Sequence, residues 1–276
     1  MKKIRFFKYQ GTGNDFVLID NRDKIFSNDR ELISHFCHRR FGVGADGLMF
    51  LEESGDSSFT MRYFNSDGRE STMCGNGGRC IAAFAVHLGV APAGEYFSFE
   101  AADGMHEAIV ENNAENRGTI DLSSDVYVSL KMRDVPKMDV MEDGMYLDTG
   151  SPHYVKFVED PGSVDVYNEG KFWRNHDRFG PGGVNVNFVG PRKNGEIPMR
   201  TFERGVEDET WSCGTGAVAS AMASAVHYGE GEKFVMKVPG GELTVSFQRE
   251  EGNCFSNVWL SGPARFVFDG NFPVGR

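Results

Sequence analysis

The sequence predicts an α/β protein of the α+β type, built as two pseudo-symmetric lobes from an internal duplication. Three observations lead there. The chain resembles itself at an offset of about half its length, most of it reads as short alternating strands, and one alanine-rich segment in each half breaks that pattern. Each lobe is then a mostly antiparallel or mixed sheet wrapped around one central buried helix, with the functional site expected in the cleft between lobes.

The repeat is clearest in residues 61–89 and 199–229. Both begin Met-Arg-x-Phe, place Glu four residues before a cysteine, continue Cys-Gly-x-Gly into an alanine-rich run, and end Val-His-x-Gly. Cys74 and Cys213 lie 139 positions apart in a chain of 276. Glu95 and Phe97 precede Glu232 and Phe234 by 137, as residues 14–20 precede 151–157. Two unrelated glycine turns would not share that spacing. The duplication implies a first lobe of residues 1–119 plus 265–276 and a second of 120–264.

Residues 16–19, 118–122 and 242–247 alternate or are β-branched between turn clusters, which favours strands. Residues 77–88 and 216–228 are alanine and other apolar types on every side, so they read as buried helices. Gly89 and Gly229 stand where C-terminal caps are needed.

Apolar residues at 40% and charged residues at 25% exclude a disordered or low-complexity chain. A net charge of −11 repels phosphate backbones, so no nucleic-acid partner is expected. No run approaches the roughly 20 apolar residues of a membrane span, and the start MKKIRFFKYQ lacks the apolar core of a secretory leader. The reading is a cytoplasmic protein with no membrane partner. Five cysteines, an odd number, argue against a disulfide framework. Cys37, Cys80 and Cys254 read as packing residues.

Cys74 and Cys213 read differently, because each precedes a buried helix through Cys-Gly-x-Gly. A helix N-terminus offers unpaired N–H groups and about half a positive charge. It can bind a carboxylate and lowers a neighbouring thiol pKa from about 8.5. One such turn suggests a nucleophile, with His153 as a candidate base. Two related by symmetry suggest acid–base groups on opposite faces of one substrate carbon, the arrangement for cofactor-free racemisation or epimerisation. A zinc site from Cys74 and Cys80 lacks the usual ligand spacing, so no metal is expected. Gly42-Val-Gly-Ala-Asp-Gly47 fits a dinucleotide fingerprint literally but lacks strand–turn–helix context, and no cofactor is expected.

At GTGNDFVLID (11–20), FNSDGRESTMCGNGGRC (64–80), GVNVNFV (183–189) and FERGVEDETWSCGTGA (202–217) the chain resembles the diaminopimelate epimerases, over nearly its whole length. The resemblance implies a pyridoxal-independent isomerase of lysine and peptidoglycan-precursor synthesis that interconverts LL- and meso-diaminopimelate. It implies Cys74 and Cys213 as the acid–base pair, with His153 and Glu203 tuning the thiols. Gly75, Asn76, Gly214 and Thr215 would hold the reacting carboxylate. Asn14, Asn65, Asn185, Glu203 and Arg204 would hold the far amino-acid end. The implied partners are the amino-acid substrate and, at most, a second copy of the chain as a homodimer. Two positions depart from the pattern: Gly47 where some members carry glutamine, and Ser151 where asparagine is often found before Pro-His. The competing readings are a proline or hydroxyproline racemase of the same fold and a non-catalytic amino-acid-binding member.

Overall fold

The computed structural model describes residues 2–111 and 121–274 and divides into two compact units, Met1–Leu130 with Gly262–Arg276, and Lys131–Ser261. The expected boundary at 119/120 lies outside the described residues. The other falls at 261/262, three residues before its expected place.

The first unit runs β1 (Lys2–Gly11), β2 (Asn14–Asp20), α1 (Arg30–Cys37), β3 (Gly47–Glu52), β4 (Thr60–Asn65), β5 (Glu70–Ser71), α2 (Gly75–His87), β6 (Tyr96–Ala101), β7 (Gly104–Val110) and β8 (Val126–Lys131). The second runs β9 (Met138–Met141), β10 (Gly144–Asp148), β11 (Pro152–Phe157), α3 (Val166–Arg174), β12 (Asn185–Val189), β13 (Glu196–Glu203), β14 (Asp208–Thr210), α4 (Gly214–Tyr228), β15 (Lys233–Val238), β16 (Gly241–Glu250) and β17 (Cys254–Val274). The last strand starts in the second unit and ends in the first.

The two ladders share one order of pairing. In the first, β2/β3 is parallel, β3/β4 antiparallel, β4/β6 parallel and β6/β7 antiparallel. In the second, β11/β12, β12/β13, β13/β15 and β15/β16 repeat that alternation. The sheets are therefore mixed, and the repeated residues have a shared structural role. Arg62 donates to both Glu70 oxygens at 2.8 and 2.9 Å across β4 and β5. Arg200 and Glu209 make the same bidentate pair at 2.6 and 2.5 Å across β13 and β14. Each pair pins the strand that leads into a cysteine turn.

Within each unit the alanine-rich segment is a helix buried along nearly its whole length. Small side chains let strands approach α4 from several sides, and Ala217 to Ala225 join Met199, Leu243 and Val245 in the core. In the first unit Phe84 of α2 packs 4.9 Å from the Phe7 ring. Truncating a buried Phe of this kind costs about 3–5 kcal/mol. Gly89 and Gly229 follow the helices with φ of 69° and 74°, the left-handed turn where a side chain is strained.

Three expectations are corrected. The helices begin at Gly75 and Gly214, two residues early, because Cys74 and Cys213 themselves take the N-cap position in extended backbone. Residues 118–120 of the strand expected at 118–122 lie outside the described residues. Asp121 and Leu122 form no strand, because the Asp121 carboxylate accepts from the N–H and hydroxyl of Ser123 and holds a turn. Two short helices, α1 and α3, go beyond the sequence reading, although Asp29 and Asp165 cap their first turns.

Candidate active site

In the first unit, β1 and β2 meet at a turn that brings Thr12 and Asn14 onto the N-terminus of α2. Cys74 accepts a hydrogen bond from the Gly77 N–H at 3.2 Å, a donor that favours negative charge on sulfur. Asn76 is 4% exposed, and its amide donates to Asn14 Oδ1. Beneath it Arg79 is fully buried. Its guanidinium donates to Thr12 Oγ1 and Asn76 Oδ1, both at 3.0 Å, and to the carbonyls of Gly75 and Pro263. All four acceptors are neutral. Burial pulls the Arg79 pKa down to about 10, so it still carries its charge at neutrality.

An ionic cluster braces the same turn. Lys8 and Arg39 both reach Asp15, at 2.6 and 2.7 Å, and Arg39 also reaches Asp46. Asp46 accepts from the Asn14 amide at 3.1 Å. Burial alone would raise the Asp15 carboxyl, but hydrogen bonds from Arg39 and Lys8 overcome it and hold the group down at about 2.

The second unit builds its counterpart with other groups. Parallel β11 and β12 place His153 beside Asn185, and Asn187 two residues on projects from the same face of β12. Cys213 is 6% exposed, with Sγ 3.5 Å from Thr215 Oγ1. Thr215 Oγ1 lies 3.0 Å from His153 Nε2, and His153 Nδ1 lies 3.0 Å from Asn187 Nδ2. Burial, aided by the Arg204 charge, presses the His153 pKa down to about 3, so the ring is neutral.

Beside this chain, Asn185 donates to Ser151 Oγ at 2.8 Å and accepts from the Arg204 N–H at 2.9 Å. Arg204 Nη2 also reaches Ser151 Oγ at 3.4 Å. Ser151, although it departs from the family pattern, thus belongs to this cluster. Glu203 ends β13 beside Arg204, and burial raises its carboxyl pKa. Asn65 is exposed at the end of β4, opposite Gly47. A side chain at Gly47 would strike the Tyr63 ring at 2.5 Å, so Tyr63 occupies the space a glutamine would need.

Ten of the twelve expected residues therefore gather in two sets, Asn14, Cys74, Gly75 and Asn76 in one unit and His153, Asn185, Arg204, Cys213, Gly214 and Thr215 in the other, while Asn65 and Glu203 stand at the ends of β4 and β13. Thr12, Arg79 and Asn187, which the sequence reading did not single out, are joined to these sets by hydrogen bonds. Arg79 had left a signal, since it is a lone charge opening an apolar helix. Burial raises the Cys37 and Cys80 thiols to about 12, which suits packing residues. The glycines at 42 and 44 serve the turn after α1, where a Cβ at Gly42 would lie 1.9 Å from the His35 carbonyl oxygen. Among the described residues no three His, Cys, Asp or Glu side chains are grouped to hold a metal, and no helix is long and apolar enough to cross a membrane.

Solved structures share this fold. A PhzF-family phenazine biosynthesis protein from Bacillus anthracis aligns over 99% of this chain and all of its own, with TM-score 0.76 and 14% identity. A probable proline racemase from Agrobacterium radiobacter K84 aligns over 99% and 93%, with TM-score 0.69 and 16% identity. Such low identity establishes the fold class alone.

The finer assignment comes from sequence. Residues 6–127 and 145–267 match the family model described as diaminopimelate epimerase. The diaminopimelate epimerase of Flavobacterium psychrophilum is 45% identical over 96% of this chain and 99% of its own length. That of Chlorobaculum tepidum is 39% identical over the same shares. The chain belongs to the diaminopimelate epimerase family of isomerases.

Proposed function

We propose that the protein interconverts LL- and meso-diaminopimelate without a cofactor, with Cys74 and Cys213 as its two acid–base groups. The observation that carries this reading is the repeated Cys-Gly-x-Gly, in which each cysteine stands at the N-cap position of a buried helix. One thiolate removes the α-proton, breaking C–H and forming S–H. The other thiol returns its own proton to the opposite face, inverting the centre and leaving the enzyme with its protonation states exchanged. Negative charge accumulating on the α-carboxylate in between is met by helix N–H groups at Gly75-Asn76 and Gly214-Thr215. In one direction Cys74 is the donor and Cys213 the acceptor.

The far end of the substrate carries an ammonium and a second carboxylate. Arg204, Asn185, Asn14 and Asn65 supply donors for the carboxylate, and Glu203 an acceptor for the ammonium. His153 and Glu203 set the thiols' protonation. Lysine and peptidoglycan-precursor synthesis in the cytoplasm is the process this activity serves, and a reducing compartment suits working thiols.

Proton NMR in D2O with LL-diaminopimelate and no added cofactor tests the proposal. Deuterium at the α-carbon of meso product, with recovered LL substrate unlabelled early on, is the expected result. Exchange into LL substrate without inversion would mean a single base. Turnover of proline and not of diaminopimelate would instead identify a racemase of the same fold.

A further inference from the structure

The chain Asn187–His153–Thr215–Cys213 has a direction, and one buried amide sets it. Asn187 is fully buried. Its Nδ2 lies 3.4 Å from the backbone carbonyl of Tyr154, which can only accept, and its Oδ1 takes the Thr201 hydroxyl at 2.9 Å. The NH2 of Asn187 therefore faces His153, and His153 Nδ1 must be an acceptor. The proton of the neutral ring is then on Nε2 and points to Thr215 Oγ1. Because that oxygen is accepting, its own hydrogen is left for Cys213 Sγ.

We propose that Asn187 is a positioning residue of the reaction, fixing His153 in the Nε2–H tautomer so that Thr215 donates to Cys213 and favours its thiolate. This rests on the reading of Cys213 as an acid–base group. It also gives the imidazole a specific role, since the ring is the far donor of a neutral chain and does not take the thiol proton. Gly216 belongs to the same device, because a Cβ there would lie 2.5 Å from Asn187 Oδ1. The charged group facing His153 is Arg204, which also opposes a protonated ring.

The tautomer is measured directly by 15N NMR of histidine-labelled, substrate-free protein between pH 5 and 9. The expected spectrum shows His153 with a pyridine-like Nδ1 and a protonated Nε2 throughout. An Nδ1–H tautomer, or an imidazolium near neutrality, would overturn the inference even if isotope exchange with diaminopimelate is found. The readout needs no turnover, so failure of the proposed activity leaves it intact.

Asn187→Asp carries the test into kinetics. A carboxylate at 187 accepts from Nδ1–H, which takes the neutral ring's proton away from Nε2 and leaves Thr215 Oγ1 without that donor. It should shift the acid limb of kcat/KM in the direction where Cys213 is the base, with a loss of about tenfold to a hundredfold at neutrality. An unshifted profile with normal activity counts against the inference. Thr215→Val should lose about tenfold and Thr215→Ser should restore most of it. Equal losses in both would reduce Thr215 to packing.

Discussion

The N-termini of α2 and α4 descend from one sequence and now support their cysteines by different physics. At α2, the sulfur accepts a backbone N–H from Gly77, and the buried guanidinium of Arg79 sits one helical turn below. At α4, the position equivalent to Arg79 is Val218, packed in the apolar core, and Cys213 faces a hydroxyl backed by a neutral imidazole. One half uses a fixed charge and the other a chain of neutral dipoles. A thiol that exchanges a proton with substrate needs its anion stabilised without being made too weak a base. The comparison shows that this need does not dictate the means.

Removing either sulfur should have the largest effect. Cys74→Ser and Cys213→Ser should each lower epimerisation by about 10²- to 10⁴-fold while circular dichroism stays unchanged. Full activity in either variant would end the two-thiol scheme.

Arg79→Met separates the two halves. Met leaves the four acceptors of Arg79 without their donor, which costs stability, so the variant is compared under conditions where circular dichroism shows it folded. Activity should nevertheless fall by about tenfold or more, as expected when a nearby charge worth about 1.4 kcal/mol is lost. Iodoacetamide should alkylate Cys74 more slowly in this variant and Cys213 at its former rate. Equal slowing of both thiols would erase the distinction between a charged and a neutral support.

Acidification probes the same contrast through stability. The folded pKa of His153, about 3, lies below its ordinary value near 6.5. The unfolded chain therefore binds the proton first, and this contribution fades as pH falls from about 6.5. Asp15 is likewise depressed, to about 2, so its contribution persists until pH drops below about 4. Between pH 6.5 and 5, thermal unfolding should soften in the native protein and much less in His153→Gln. Asp15→Asn should flatten the further decline between pH 4 and 2. Parallel curves for native and His153→Gln would show that the buried ring does not set the upper slope.

Ser151→Ala should have the smallest effect. The Ser151 hydroxyl already accepts from Asn185 and Arg204, which leaves its hydrogen available to a substrate carboxylate. Its removal should raise KM for diaminopimelate about threefold to tenfold with little change in kcat. An unchanged KM would mean that Asn185 and Arg204 hold that end without it.

Local signals explain what was legible beforehand. The alanine runs, the cysteine turns and the glycine caps each encode their structure within a few residues, and the offset between Arg62–Glu70 and Arg200–Glu209 marks a duplicated strand pair. Groups brought together by long-range pairing left weaker traces. Thr12 meets Arg79 only because β1 and β2 deliver their turn to α2. Asn187 and Thr201 meet because β12 and β13 are in register at those two residues. Gly47 looked like a lost ligand because nothing local to it reveals the Tyr63 ring from the neighbouring strand.

The continuous strand β17 has a consequence for how the protein is made. Lys2 pairs with Val274 and Gln10 with Arg265, so the first sheet is completed by residues synthesised at least 255 positions later (265 − 10). The second unit, contiguous from Lys131 to Ser261, has no such wait. At about 5–20 residues per second, β1 emerges from the ribosome tens of seconds before its partner exists. The half that is translated first must finish folding last, and its open edge, including Phe6 and Phe7, is what a nascent-chain chaperone would meet in the interval.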